Sequence, residues 1–185
     1  MKTKYRFAAA LCALYTVNIA APAHADELWL GVTAHEVDTP FSLKIREGGR
    51  DVQAGWRGNR IEALRFLGKP SPHVLVSVSV NGETNLAAAG LSWKLGDKFY
   101  VRPGIGLAIH DGPIPRTGPR LPSGARRRTD LGSRILFEPE IAAGIKVNER
   151  LAVEGSWVHV SHARLFSGQN PGLDLIGVRL LLKVG

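Results

Sequence analysis

The sequence predicts an all-β protein, an eight-stranded antiparallel transmembrane β-barrel. Three observations point there. From Asp26 onward the apolar residues recur with a period of two far more often than 3.6. Eight such segments follow one another, separated by turn signals. No segment offers the ~18 consecutive apolar residues of a membrane helix, so a membrane protein made of this chain has to be a closed barrel.

Residues 1–25 are set apart from the barrel. Lys2, Lys4 and Arg6 form a basic start, Phe7 to Leu14 an apolar middle, and Ala23-His24-Ala25 a small-residue cleavage site. The pattern is that of a secretory signal peptide, which leaves residues 26–185 as one barrel domain. The bulky Leu11 before Cys12 argues against a lipoprotein anchor. Cys12 is the single cysteine, so no disulfide holds the exported part together. The formal net charge is +8, and the signal segment carries three of those charges. An exported domain with this modest basic excess suits anionic lipid or glycan phosphate, and nucleic acid is not expected as a partner.

The strands follow in order. Leu28, Leu30, Val32 and Ala34 alternate with Trp29, Gly31, Thr33 and His35 in the first. After a loop with Pro40 and Gly48-Gly49, Val52, Ala54 and Trp56 share a face of the second. Ile61 to Phe66 reads as a short helix or an irregular turn. The third strand sets Val74, Val76, Val78 and Val80 against His73, Ser77, Ser79 and Asn81, and Asn81-Gly82 then marks a tight turn. The fourth runs roughly from Asn85 to Lys94, and Leu95-Gly96-Asp97 is another turn. Phe99, Val101, Pro103, Ile105, Leu107 and Ile109 form the apolar face of the fifth. Ile135 to Val147 makes the sixth, Leu151 to Ser161 the seventh and Asp174 to Val184 the eighth.

The apolar face can point inward, as in a soluble barrel, or outward to lipid. The opposite face decides, because it carries Arg102, Arg134, Glu138, Glu140, Lys146, Glu154 and Arg179. Charges of both signs can pair inside a narrow barrel filled by side chains. The unbroken Val, Ile and Leu of the other face suit the bilayer. Pro103 and Pro139 fall in mid-strand, where proline removes a ladder hydrogen bond, so bulges are expected there. The last residues, Lys183-Val184-Gly185, lack the terminal aromatic expected of such barrels.

Chemistry concentrates between Trp157 and Asp174. His159 and Ser161 share a strand face, which sets a base beside a nucleophile. A return strand after Asn170-Pro171-Gly172 can bring Asp174 next to His159, a constellation suited to acyl transfer. Ser and His are also common near strand ends at a membrane interface, so the pattern alone fits ordinary polar residues too. The longest loop, Asp111 to Leu131, carries Arg126, Arg127 and Arg128, either a solvated surface or a clamp for phosphorylated headgroups. His110, His35 and His73 form no ligand cluster in the sequence.

The chain resembles the outer-membrane lipid A 3-O-deacylases, the PagL family. The resemblance rests on the Val80-Asn81-Gly82 turn, Pro103-Gly-Ile-Gly-Leu-Ala-Ile-His-Asp-Gly112, Gly132-Ser-Arg-Ile-Leu-Phe137, His159-Val-Ser161 and Asn170-Pro-Gly172. It implies a barrel in the outer membrane that hydrolyses the ester-linked 3-hydroxyacyl chain at position 3 of lipid A, within lipopolysaccharide, without metal or cofactor. Ser161 would be the nucleophile, His159 the general base and Asp174 the orienting acid, where the family can use Glu. The family usually has Asn in place of His162, so the oxyanion site would rest on backbone N–H groups near Ala163 and Arg164, or on His162 itself. A lipid A acyltransferase and a non-catalytic anchoring or adhesion barrel are the alternatives. Monomer and homodimer are both compatible with the sequence.

Overall fold

The structure, a computed structural model, describes residues 26–41, 47–114, 128–163 and 172–184. The expected signal segment, residues 1–25, lies outside them. The strands are β1 Asp26–Ala34, β2 Arg50–Arg57, β3 Ser71–Ser79, β4 Leu86–Ser92, β5 Leu95–Gly96, β6 Phe99–His110, β7 Ile135–Lys146, β8 Leu151–Val160 and β9 Leu173–Val184. β4 and the two-residue β5 face β6 in one continuous register, Ser92 opposite Gly104 and Leu95 opposite Val101. They therefore share one position in an eight-stranded antiparallel ring. The ring closes through β4 against β6 and through β1 against β9, the first and last strands. Glu62–Leu67 is a 3-10 helix, and Gly68 ends it with φ 82°.

The alternation predicted from the sequence holds, with the apolar face outside. Leu30 is 65% exposed, Leu107 55% and Val178 55%, values that a soluble barrel would not tolerate along whole strands. Against lipid the same band is the favourable one. The lumen instead buries Trp29, Tyr100, Arg57, Arg102, Arg179, Glu138, Glu140 and Glu154. Arg179 Nη1 lies 2.9 Å from Glu140, Arg102 Nε 3.0 Å from Glu154, and Arg57 Nη1 3.1 Å from Glu27. The Arg57 and Arg179 guanidinium carbons lie over the Trp29 ring, 5.7 and 4.8 Å from its centroid. Its ring rests on Gly55, where a β-carbon would fall 1.5 Å away. Ions removed from water are tolerable only when paired in this way.

Two lumen assignments need correction. Arg134 precedes β7 and is exposed at the rim, where Nη1 donates to the carbonyls of His110 and Gly112. Lys146 sits at the opposite rim and pairs with the exposed Asp97. Both charges lie far enough along their strands to reach the barrel ends.

The bulges expected at the two prolines are also absent. Between β6 and β7 the register runs unbroken from Phe99 opposite Ile145 to Ile109 opposite Ile135. Pro103 accepts from the Trp93 N–H at 2.9 Å, and the missing N–H merely interrupts the ladder between β4 and β5. Pro139 behaves likewise. β7 and β8 pair up to Glu140 opposite Val158 and again at Phe137 opposite Ser161, in the same register. Each proline removes a bond without inserting a residue.

At the end of the barrel where β1 runs into its loop, a polar plug closes the lumen. His35 Nδ1 lies 2.7 Å from Asp51 and Nε2 3.0 Å from Glu47. Glu47 in turn accepts from the Thr84 N–H at 2.6 Å, the Thr84 hydroxyl at 2.8 Å and the Thr129 N–H at 2.5 Å. Three separate loops are thereby tied to one carboxylate.

Candidate active site

The pairing of β8 with β9 sets His159 directly opposite Asp174. Directly paired residues of an antiparallel ladder project to the same face, and here that is the outer wall, shared with Trp157 and Ile176. His159 Nδ1 stands 2.9 Å from Asp174 Oδ1. The carboxylate is fully buried, while the imidazole keeps 15% of its surface open. An acid sheltered beneath a partly open base is the arrangement needed to orient a general base.

Ser161 follows β8 and pairs with Phe137 through reciprocal backbone bonds of 2.8 and 3.1 Å. The pairing keeps it in register with His159, two residues along the same wall. Among the described residues its hydroxyl makes no hydrogen bond to the imidazole. The structure thus brings His159 and Asp174 into contact and sets Ser161 beside them without that third bond.

Several neighbours were not picked out from the sequence. Trp157 Nε1 donates to Asp174 Oδ1 at 2.6 Å, and the Thr39 hydroxyl donates to Oδ2 at 2.9 Å. The Val37 N–H reaches the Asp174 carbonyl at 2.9 Å, so the loop after β1 is anchored to the start of β9. The Phe41 ring lies 5.6 Å from that of Trp157 and 6.0 Å from that of His159. Gly172 abuts the imidazole so closely that a β-carbon there would fall 2.3 Å from Cε1. Trp157 begins the segment from Trp157 to Asp174 that the sequence singles out, and its indole is a legible donor there; Thr39 and Phe41 carry no sequence signal, being more than a hundred residues away.

Of the expected oxyanion residues, His162 is fully buried. Ala163 is exposed and holds φ 51°, a left-handed conformation that costs a non-glycine residue roughly 1–3 kcal/mol. The chain thus turns directly after His162. Arg164 lies outside the described residues, as do Arg126 and Arg127. Arg128 is described, and its Nη2 donates to Asp111 at 2.6 Å. His110, buried at the rim, contacts the Ser133 carbonyl through Nε2 at 2.6 Å and lies apart from the site. Among the described residues no group of three or more His, Cys, Asp or Glu could hold a metal ion.

The family model for lipid A 3-O-deacylase (PagL) matches residues 47–183. Among solved structures, the crystal structure of the outer membrane enzyme PagL superposes with a TM-score of 0.60 at 16% identity, covering 85% of this chain and 99% of that one. The Yersinia pestis outer membrane protein Ail, in a phospholipid bilayer nanodisc, gives 0.46 at 9% identity over the same shares. No curated protein sequence matches. The first superposition carries the fold, an outer-membrane barrel, and the family match spans His159, Ser161 and Asp174. The chain belongs to the lipid A 3-O-deacylase (PagL) family, outer-membrane β-barrel hydrolases that deacylate lipid A.

Proposed function

We propose that this chain removes the ester-linked 3-hydroxyacyl group at position 3 of lipid A by a serine esterase mechanism, with Ser161 as nucleophile, His159 as general base and Asp174 as the acid that orients it. The observation that carries the reading is the 2.9 Å contact between His159 Nδ1 and a fully buried carboxylate on the lipid-facing wall. Polar groups on that wall are costly unless they are used. The substrate can stay in the bilayer, because its ester lies at headgroup depth beside the barrel.

In the first step Ser161 Oγ forms a bond to the acyl carbon while His159 Nε2 takes the hydroxyl proton. The tetrahedral oxyanion collapses, the bond to the sugar oxygen breaks, and the imidazolium returns the proton to that oxygen. Water then attacks the acyl-enzyme with His159 again as base, releasing the 3-hydroxy fatty acid and restoring Ser161. The oxyanion would be met by backbone N–H groups around His162, Ala163 and Arg164; one such donor is worth ~10²–10³ in rate. Arg126 and Arg127, with Arg128 if it leaves Asp111, would meet the headgroup phosphates. Residues 1–25 would direct export and be removed.

The packed lumen also bears on the rival acyltransferase reading. Trp29, Tyr100, Arg102 and Arg179 occupy the interior that an enclosed acyl chain would need. The test is release of 3-hydroxy fatty acid from lipopolysaccharide by the purified protein in micelles. Ser161→Ala should release none, and Asp174→Asn should slow release by up to ~10⁴, as in a serine-protease triad. Equal release by wild type and Ser161→Ala would refute the assignment.

A further inference from the structure

We propose that Trp157 and Thr39 are positioning residues, which fix the hydrogen-bonding direction of both Asp174 oxygens and, through them, the tautomer of His159. The inference rests on the catalytic reading above and extends it to two residues that the reading does not use.

The indole N–H is a donor only. At 2.6 Å from Asp174 Oδ1 it obliges that oxygen to accept. On the other side, the Thr39 oxygen accepts the Phe41 N–H at 3.1 Å, which turns its own proton toward Oδ2 at 2.9 Å. Both carboxylate oxygens are thus committed as acceptors, and an acceptor-only carboxylate is the ionised form. The shared proton of the Asp174–His159 contact then sits on Nδ1 of the imidazole. Nε2 is left with the lone pair that must receive the serine proton.

The supporting geometry comes from two directions. Trp157 stands two residues before His159 on the same face of β8, so its ring and the imidazole share one wall. Thr39 arrives from the loop after β1, held by the bond from the Val37 N–H to the Asp174 carbonyl. Phe41 packs against both rings, at 5.6 and 6.0 Å, and limits their swing. A tryptophan at this depth could also serve merely as a membrane-interface anchor, and the experiment separates the two roles.

Purified wild type, Trp157→Phe, Thr39→Val, Thr39→Ser and Ser161→Ala would be compared for kcat and KM on lipopolysaccharide in micelles, with folding verified by heat-dependent gel mobility. Trp157→Phe and Thr39→Val should each lower kcat about tenfold, the scale of one hydrogen bond to a charged group, and leave KM within about twofold. Thr39→Ser, which keeps the hydroxyl, should restore most of the lost rate. Wild-type kcat in Trp157→Phe, a change confined to KM, or Thr39→Ser as slow as Thr39→Val would overturn the positioning role. Hydrolysis surviving in Ser161→Ala would instead overturn the catalytic assignment on which it rests.

Discussion

At the scale of single residues, the site depends on how tightly the imidazole is boxed in. Gly172 leaves no room for a methyl group, since the nearest atom to a β-carbon would be His159 Cε1 at 2.3 Å. Gly172→Ala should therefore displace the ring by a fraction of an ångström or more and lower kcat/KM by ~10², because misplacement near 1 Å has that effect. Fatty-acid release by a variant that still folds is the check, and wild-type rates would show that the ring can yield. The pair His159 and Asp174 was legible in the sequence, because a period-two count across a hairpin predicts which side chains share a face. Thr39, Phe41 and the contact of Gly172 were not. They depend on where the loop after β1 crosses β9 and on how the backbone returns, and neither leaves a periodic trace. Ala163, at φ 51°, belongs to the same group of local conformations hidden from the sequence.

At the scale of strands, alternation of apolar and polar residues gave the faces correctly from β1 to β9. The errors came at strand ends and at prolines. Arg134 and Lys146 obey the alternation but sit at the rims, where a long side chain reaches solvent. Pro139 of β7 stands opposite His159 of β8 in the continued register, so β7 offers one ladder donor fewer at that place and still needs no bulge. The register is fixed by the apolar pattern on either side, since a slip of one residue would turn every side chain to the wrong face. A charge on the lipid face tests this directly. Leu180, 53% exposed and paired with Leu30 near the middle of β9, should cost roughly 2–4 kcal/mol of stability in vesicles when changed to Arg. Urea titration of the folded barrel would measure it, and a negligible change would place that face away from the bilayer core.

At the scale of the whole molecule, a charged lumen and a polar plug support an outer wall that carries the proposed site. Burial works against charge on His35, in the loop beyond β1, but hydrogen bonds to the Asp51 and Glu47 carboxylates outweigh it and push its pKa up to about 9. Its ordinary value is 6.5, so the stability it contributes is complete below about pH 6.5 and is lost as the pH rises through about 9. For Glu47 burial is outweighed by His35 and Thr84, and its value is lowered; its contribution is present above about pH 4.5 and lost as acid titrates it. The urea midpoint should thus fall between pH 6.5 and 9, and His35→Gln should remove that decline; an unchanged slope in the variant would relieve the plug of this role. The plug could not be read in advance, because Glu47, Thr84 and Thr129 come from three loops that the strand pattern leaves unplaced. Hydrolysis at the outer wall is read out by the mass of lipid A from cells expressing the protein. Wild type should yield lipid A lighter by one 3-hydroxyacyl group and Ser161→Ala should yield the original mass, whereas an unchanged mass with wild type, or the same loss with Ser161→Ala, would contradict it.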